Sequence, residues 1–350
     1  MSSHLKTTIT PRYAINSLVK SMSIGLVPML WGSPGIGKSA SVAQIAKNYN
    51  LELLDIRVSN YEPVDFAGLP DINEDKTRAT YLPFDLIPLE GDPLPEGKDG
   101  WLIFFDEINH GKKSTVAAMY KILLDKKVGN HRIHQNVMMV AAGNSLEDRA
   151  LVEVMSTATK SRLCNLYMVA DVDQWLEDVA MKNNYDYRII SYLSEFKYDF
   201  YNFAPEENQD SFCCPRSWSQ VNDLLTVNEG VVTLKDDLPI IGGLLSPDVA
   251  SKFITYCNLV EDMVPFKDII ANPTNAKIPE NQSLLWASIT SMVTNVDQET
   301  IAPVMEYIKR VDKSFAVLFI RMLNVQKPLL GRDKQVTAVA MQLGKYFRGE

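Results

Sequence analysis

Apolar residues recur at helical spacing after Thr10-Pro11, at Ala14, Ile15, Leu18, Val19 and Met22. Together with Thr at the cap and Pro at the first helical position, they predict a helix that ends near Gly25. Leu26 to Trp31 is an apolar run that enters a glycine-rich turn, and Val42, Ile45, Ala46 and Tyr49 then mark the buried stripe of a second helix. Pro28 removes a ladder donor, so it belongs near the first residues of that strand. Leu53–Val58, Trp101–Phe105, Val137–Ala142 and Leu163–Met168 read as further strands, with a helix around Thr115–Leu124 between two of them. Strands alternating with helices predict an α/β class: a three-layer sandwich around a mainly parallel five-stranded sheet.

The pattern changes after Ala170. Helical periodicity covers Val172–Met181, Trp218–Leu225, Ser246–Leu259, Leu284–Val293 and Ile301–Leu323. An α/β domain over residues 1–170 followed by an all-helical region over 171–350 is therefore expected. Residues 61–99, rich in Pro, Gly and acids, are too long for a plain connector and read as a functional insertion. A second insertion is expected near 126–136, where Gly129-Asn130 supplies hairpin turn chemistry.

Composition adds limits. At 350 residues, 46% hydrophobic and 22% charged, the chain is of ordinary globular type and can bury a core without staples. The opening residues lack the apolar run of a signal peptide, and no apolar stretch approaches the length of a membrane span. A cytoplasmic protein with no membrane partner is expected. Cys164, Cys213, Cys214 and Cys257 form no paired Cys-x-x-Cys set and read as reduced packing residues. A net charge of −8 disfavours nucleic acid as a partner, although a local basic groove would not conflict with it.

Candidate chemistry begins at Gly32-Ser33-Pro34-Gly35-Ile36-Gly37-Lys38-Ser39, which fits G-x-x-x-x-G-K-[S/T] and stands between a predicted strand and a predicted helix. Such a loop turns backbone N–H groups and a helix N-terminus, here including Ala40, toward phosphates; Lys38 reaches the β and γ phosphates and the Ser39 hydroxyl ligates Mg²⁺. Trp101 to Phe105 ends in Asp106 and Glu107, and a buried strand tolerates two terminal acids only with a partner. Mg²⁺ held by Ser39 and Asp106, with Glu107 polarising the attacking water, supplies one. ATP and Mg²⁺ are thus the expected ligands, and ATP hydrolysis the expected reaction. Asn144, after the strand Val137–Ala142, is suited to hydrogen-bond the γ-phosphate or the water, although an Asn in that position is by itself commonly a turn residue. His131 and His134 lack a third ligand and are read as surface residues.

These residues resemble the AAA+ ATPases, and within them the MoxR family of bacteria and their phages. The resemblance rests on the two motifs above, on Asp65-Phe-Ala-Gly68-Leu-Pro70, on Ala141-Ala-Gly-Asn144 followed by Glu147-Asp-Arg149-Ala150, and on Pro215-Arg216-Ser-Trp218. It implies an AAA+ core with a helical lid and a ring, commonly hexameric, that remodels or activates a client protein. The partner it implies is often one with a von Willebrand factor A domain. It also implies that Asn144 is the sensor of the γ-phosphate, that Arg216 couples the lid to the nucleotide, and that Arg162 is the finger inserted into a neighbour's site, with Arg149 as its rival. The two insertions would face the client. The alternatives are a nucleic-acid translocase or virion assembly motor, and a nucleotide-gated scaffold with little turnover.

Overall fold

The computed structural model describes residues 7–72, 74–144, 161–204, 210–228 and 234–344. Two compact units emerge: Met1–Ala170 with Ala204–Asn208, and Asp171–Phe203 with Gln209–Glu350.

The first unit is built on a six-stranded sheet. Its strands are β1 (Thr8–Ile9), β2 (Pro28–Trp31), β3 (Leu51–Arg57), β6 (Gly100–Asp106), β9 (Val137–Gly143) and β10 (Cys164–Met168), in the order β1-β10-β2-β9-β6-β3. All neighbours are parallel. The sequence predicts five strands; the sixth, β1, has two residues, too few to carry an alternation, and is held at the edge by pairing Thr8 with Tyr167 and Ile9 with Met168. Pro28 is the first residue of β2, where its missing N–H costs least.

Both faces of the sheet are covered. One cluster joins Met29, Trp31, Ile103, Phe105, Met139 and Ala141 to Val116, Met119, Ile122 and Leu123 of α4 (Lys113–Asp125). The alternate residues Leu30, Leu102, Phe104, Val140 and Ala142 are just as buried, and the period of two puts them on the opposite face. Helices α1 (Pro11–Ser23) and α2 (Lys38–Asn48) touch each other and the strands. A strand buried on both sides must read as a continuous apolar run, which is why β6 does so. Phe105, fully buried, anchors this layer; Phe105→Ala is expected to cost about 3–5 kcal/mol in urea unfolding, and a loss below about 1 kcal/mol would contradict its place in the core.

One local expectation needs correction. Tyr49 is not part of the buried stripe of α2: it is the C-cap and is 51% exposed, because the helix ends one residue before it. Thr10 occupies the N-cap of α1 but makes no capping hydrogen bond, and its Oγ1 is buried without a partner.

The insertion over residues 61–99 contains α3 (Pro63–Ala67) and an antiparallel hairpin of β4 (Leu69–Ile72) and β5 (Ala79–Leu82). The second insertion is a hairpin of β7 (Lys127–Val128) and β8 (His131–Arg132) that turns at Gly129-Asn130. Backbone bonds from Glu90 N to Arg132 O (2.9 Å) and from His134 N to Pro88 O (3.0 Å) tie the two insertions to each other.

The second unit is helical among its described residues. Its longer helices are Tyr187–Glu195, Pro215–Val227, Leu234–Leu244, Pro247–Glu261, Gln282–Asn295, Ile301–Ile308, Lys313–Gln326 and Lys334–Gln342. The expected single helix Ile301–Leu323 is two helices, because Asp312 caps a new start by accepting from Ser314 N at 2.8 Å. Phe253 meets both Tyr192 and Trp218 edge to face in the core of this unit. Cys213 is buried beside them, and burial pushes its thiol up to about 11, which keeps it protonated. No helix among the described residues is long and apolar enough to cross a membrane.

Candidate functional site

Parallel strands bring their C-terminal ends to one edge of the sheet, and ligands of open α/β sheets bind outside that edge. At this edge β9 lies between β2 and β6, so the residue after β9 stands between the glycine loop after β2 and the acids that end β6. Those three chain segments, separated by tens of residues, assemble the site.

The loop is anchored where it leaves β2: Gly32 N donates to Gly143 O at 3.2 Å. A Cβ on Gly32 would stand 2.8 Å from Met168 O, so only glycine passes between the ends of β9 and β10. Gly37, at φ 98°, is in the left-handed region that glycine occupies at no steric cost, and it starts α2 there. Ser33, Pro34, Gly35 and Ile36 form the bend between, with the Ile36 side chain buried beneath it and Ala40 exposed in the first turn of α2. The N–H groups of that turn have no intrahelical acceptor, which makes it an anion site.

Lys38 is buried at 8% exposure, and its ammonium donates to Gly32 O (2.5 Å), Ser33 O (2.9 Å) and Asn144 Oδ1 (3.1 Å). A buried ammonium needs such partners, and here they hold it over the loop. Ser39 Oγ donates to Asp106 Oδ2 at 3.1 Å. Two neighbouring ligands of an octahedral Mg²⁺, each at about 2.0–2.1 Å, stand roughly 2.9 Å apart, so this oxygen pair fits the ion without rearrangement. Asp106 Oδ1 accepts from Glu107 N (2.8 Å), fixing the carboxylate.

Glu107 follows in a left-handed conformation, φ 53°, at the start of the 3-10 turn Ile108–His110. That turn swings its carboxylate away from the strand line, where Ser59 Oγ donates to Oε2 at 3.3 Å. Negative charge accumulates here. Partial burial and then the charge of Asp106 push the Asp55 carboxyl above its ordinary range, with Glu107 adding to the rise and Arg57 opposing it. A divalent cation held by Ser39 and Asp106 would relieve that repulsion.

The structure thus brings together Lys38, Ser39, Asp106, Glu107 and Asn144 from the sequence-predicted set. Arg162 stands apart from them. It is exposed and lies two residues before β10, whose first residue pairs with Pro28 at the start of β2, whereas the glycine loop leaves the other end of β2. Four residues of strand, about 13 Å, separate the two edges. Arg216 is exposed in the first turn of Pro215–Val227, in the second unit. Arg149 lies outside the described residues, as does Glu147. Sequence reasoning missed Ser59 and Asn109, whose partners are 48 and 35 positions away; no local spacing marks either.

This geometry is that of an ATPase site at the edge of a parallel α/β sheet, and it lies within a stretch that is similar to a known nucleotide-binding domain. Residues 28–163, from the first residue of β2 to the approach to β10, match the family model of the AAA domain, dynein-related subfamily. No curated protein matches the chain. Among solved structures, one of a Cytophaga hutchinsonii protein whose ATPase description is provisional is 15% identical over 97% of this chain and 90% of that one, with a TM-score of 0.36.

Proposed function

We propose that the chain hydrolyses Mg-ATP at the edge formed by Gly32–Ala40, Asp106, Glu107 and Asn144, as one subunit of a ring. The observation that carries the reading is the convergence of Lys38 on Asn144 and of Ser39 on Asp106, each within 3.1 Å, from strands far apart in sequence. Phosphoryl transfer asks little covalent chemistry of a protein; positioning and charge neutralisation supply the rate. In this reading the loop N–H groups and Lys38 bind the β and γ phosphates, and Ser39 and Asp106 hold Mg²⁺, which when bound neutralises phosphate charge. Glu107 accepts a proton from the attacking water, and Asn144 Oδ1 and its amide orient water and γ-phosphate.

Lys38→Ala removes the ammonium held over the glycine loop and is expected to abolish ATP binding in calorimetry. Retained micromolar affinity would overturn the site.

Ring assembly is supported by the position of Arg162. It lies at the edge of the sheet opposite its own glycine loop, which in the finger role would direct its charge to a different subunit. The finer reading is of a MoxR-type, commonly hexameric assembly that remodels or activates a client protein, one with a von Willebrand factor A domain. It rests on the motifs around Asp65–Pro70 and Arg216, and on the insertion over residues 61–99, whose hairpin presents Leu69, Ile72, Tyr81 and Leu82 at 50% exposure or more. Arg216 enters as the lid's nucleotide contact from the resemblance alone. The net charge of −8 favours a protein client over a nucleic-acid translocase or virion motor. Proteins that copurify with a Glu107→Gln variant in ATP would identify the client, and nanomolar affinity for DNA with stimulated turnover would reverse the choice.

A further inference from the structure

Asn109 is among the few polar side chains that the first unit buries, at 2% exposure. It lies two residues after Glu107, in the same 3-10 turn, and 35 positions before Asn144. Its side-chain amide clasps one residue twice: Nδ2 donates to Asn144 O at 2.8 Å, and Oδ1 accepts from Asn144 N at 3.2 Å.

Both halves of the amide are therefore used, with a geometry that continues the β6–β9 pairing past its last register pair, Phe105 with Ala141. The chain makes room for this clasp. A Cβ on Gly143 would stand 2.7 Å from Asn109 Oδ1, so the residue before Asn144 has to be glycine for the amide to reach. Asn144 in turn accepts from Lys38 at 3.1 Å. A continuous path thus runs from the phosphate-binding ammonium through Asn144 and the Asn109 amide to the turn that aims Glu107.

We infer that Asn109 is a positioning residue for hydrolysis: it locks the sensing Asn144 to the turn carrying Glu107, so that the γ-phosphate contact and the water-activating carboxylate keep one fixed separation. The inference rests on the proposed hydrolytic reading of the site. Asn109 is too buried to touch nucleotide, so its removal should leave binding intact and misplace only the groups that act in the transition state. A fixed geometry of this kind matters because supporting hydrogen bonds to site residues commonly govern about 10- to 100-fold of activity.

Leucine is close in volume but unpairs the Asn144 peptide, while aspartate keeps the acceptor and removes the donor to Asn144 O. Asn109→Leu and Asn109→Asp in the full chain should each lower kcat at least about tenfold while KM for ATP and the calorimetric Kd for Mg-ATP change less than about threefold. A residue that only supported the fold would lower the melting temperature and leave kcat per folded molecule unchanged.

The decisive comparison is a double-mutant cycle with Asn144→Ala, whose loss of turnover should absorb that of Asn109→Leu because both act through the same contact. Additive losses, or unchanged kcat in both Asn109 variants, would overturn the inference while leaving the hydrolytic site intact. Loss of cooperative folding in both variants would also overturn it, by assigning Asn109 to stability alone. If Asn144→Ala itself keeps full turnover, the sensing role fails and the inference fails with it, while the hydrolytic site still stands on Lys38 and Glu107.

Discussion

Arg162→Ala protein is expected to bind Mg-ATP as tightly as the wild type and to lose turnover by about 10³- to 10⁵-fold. The size of the effect follows from the proposed finger role: a finger arginine meets charge that exists only in the transition state, so ground-state binding does not report its loss. The direction follows from the fold. Arg162 precedes β10 at the edge where Cys164 pairs with Pro28, and the glycine loop leaves β2 past Trp31 at the opposite edge, so the subunit's own pocket stays complete in the variant. Mixing Arg162→Ala with Lys38→Ala subunits should restore part of the activity, because a Lys38→Ala subunit presents an intact arginine to an Arg162→Ala pocket. A self-sufficient enzyme cannot show that rescue. Specific activity of the wild type should also rise with protein concentration as subunits associate. Near-normal activity for Arg162→Ala, with no rescue in the mixture, would contradict the trans role; the same loss moved to Arg149→Ala would assign the finger to Arg149.

Glu107→Gln carries the second large effect. The substitution preserves size and leaves the Asp106–Ser39 pair and the Lys38 contacts in place, but an amide oxygen is too weak a base to take a proton from water. Turnover should fall by about 10²- to 10⁴-fold with ATP affinity retained or improved. A drop in affinity equal to the drop in turnover would mean that Glu107 holds the nucleotide or its metal, and not the water. The two variants are distinguished by mixing: Glu107→Gln removes a group from its own pocket, so a Lys38→Ala partner cannot restore it.

How far the sequence carries depends on whether a feature is local. The glycine loop is contiguous, and its Lys and Ser sit at fixed steps from the glycines, so eight residues suffice to place the bend and the two side chains that close over it. Strand β6 is equally legible, because burial on both faces forces the unbroken run Trp101 to Phe105 and makes two terminal acids conspicuous. Pairings between distant segments are not legible in this way. Nothing near Asn109 announces that its amide will close on Asn144, and Ser59 differs in no local respect from any serine after a strand. Short or interrupted elements fail for related reasons: β1 has two residues, and the apolar periodicity of Ile301–Leu323 runs across a break that only the Asp312 cap betrays. The helix Tyr187–Glu195, whose Ile189, Ile190, Tyr192 and Leu193 are all buried, goes unpredicted because its nine residues are fewer than the stretch over which a helical period is read.

Phosphate release from Mg-ATP by the purified full chain, followed across a range of protein concentrations beside a Lys38→Ala control, tests the central claim most directly. The predicted result is Mg²⁺-dependent release that rises in specific activity with concentration and is absent from the control. Release no faster than the control at every concentration, from protein that binds ATP, would contradict hydrolysis at this site.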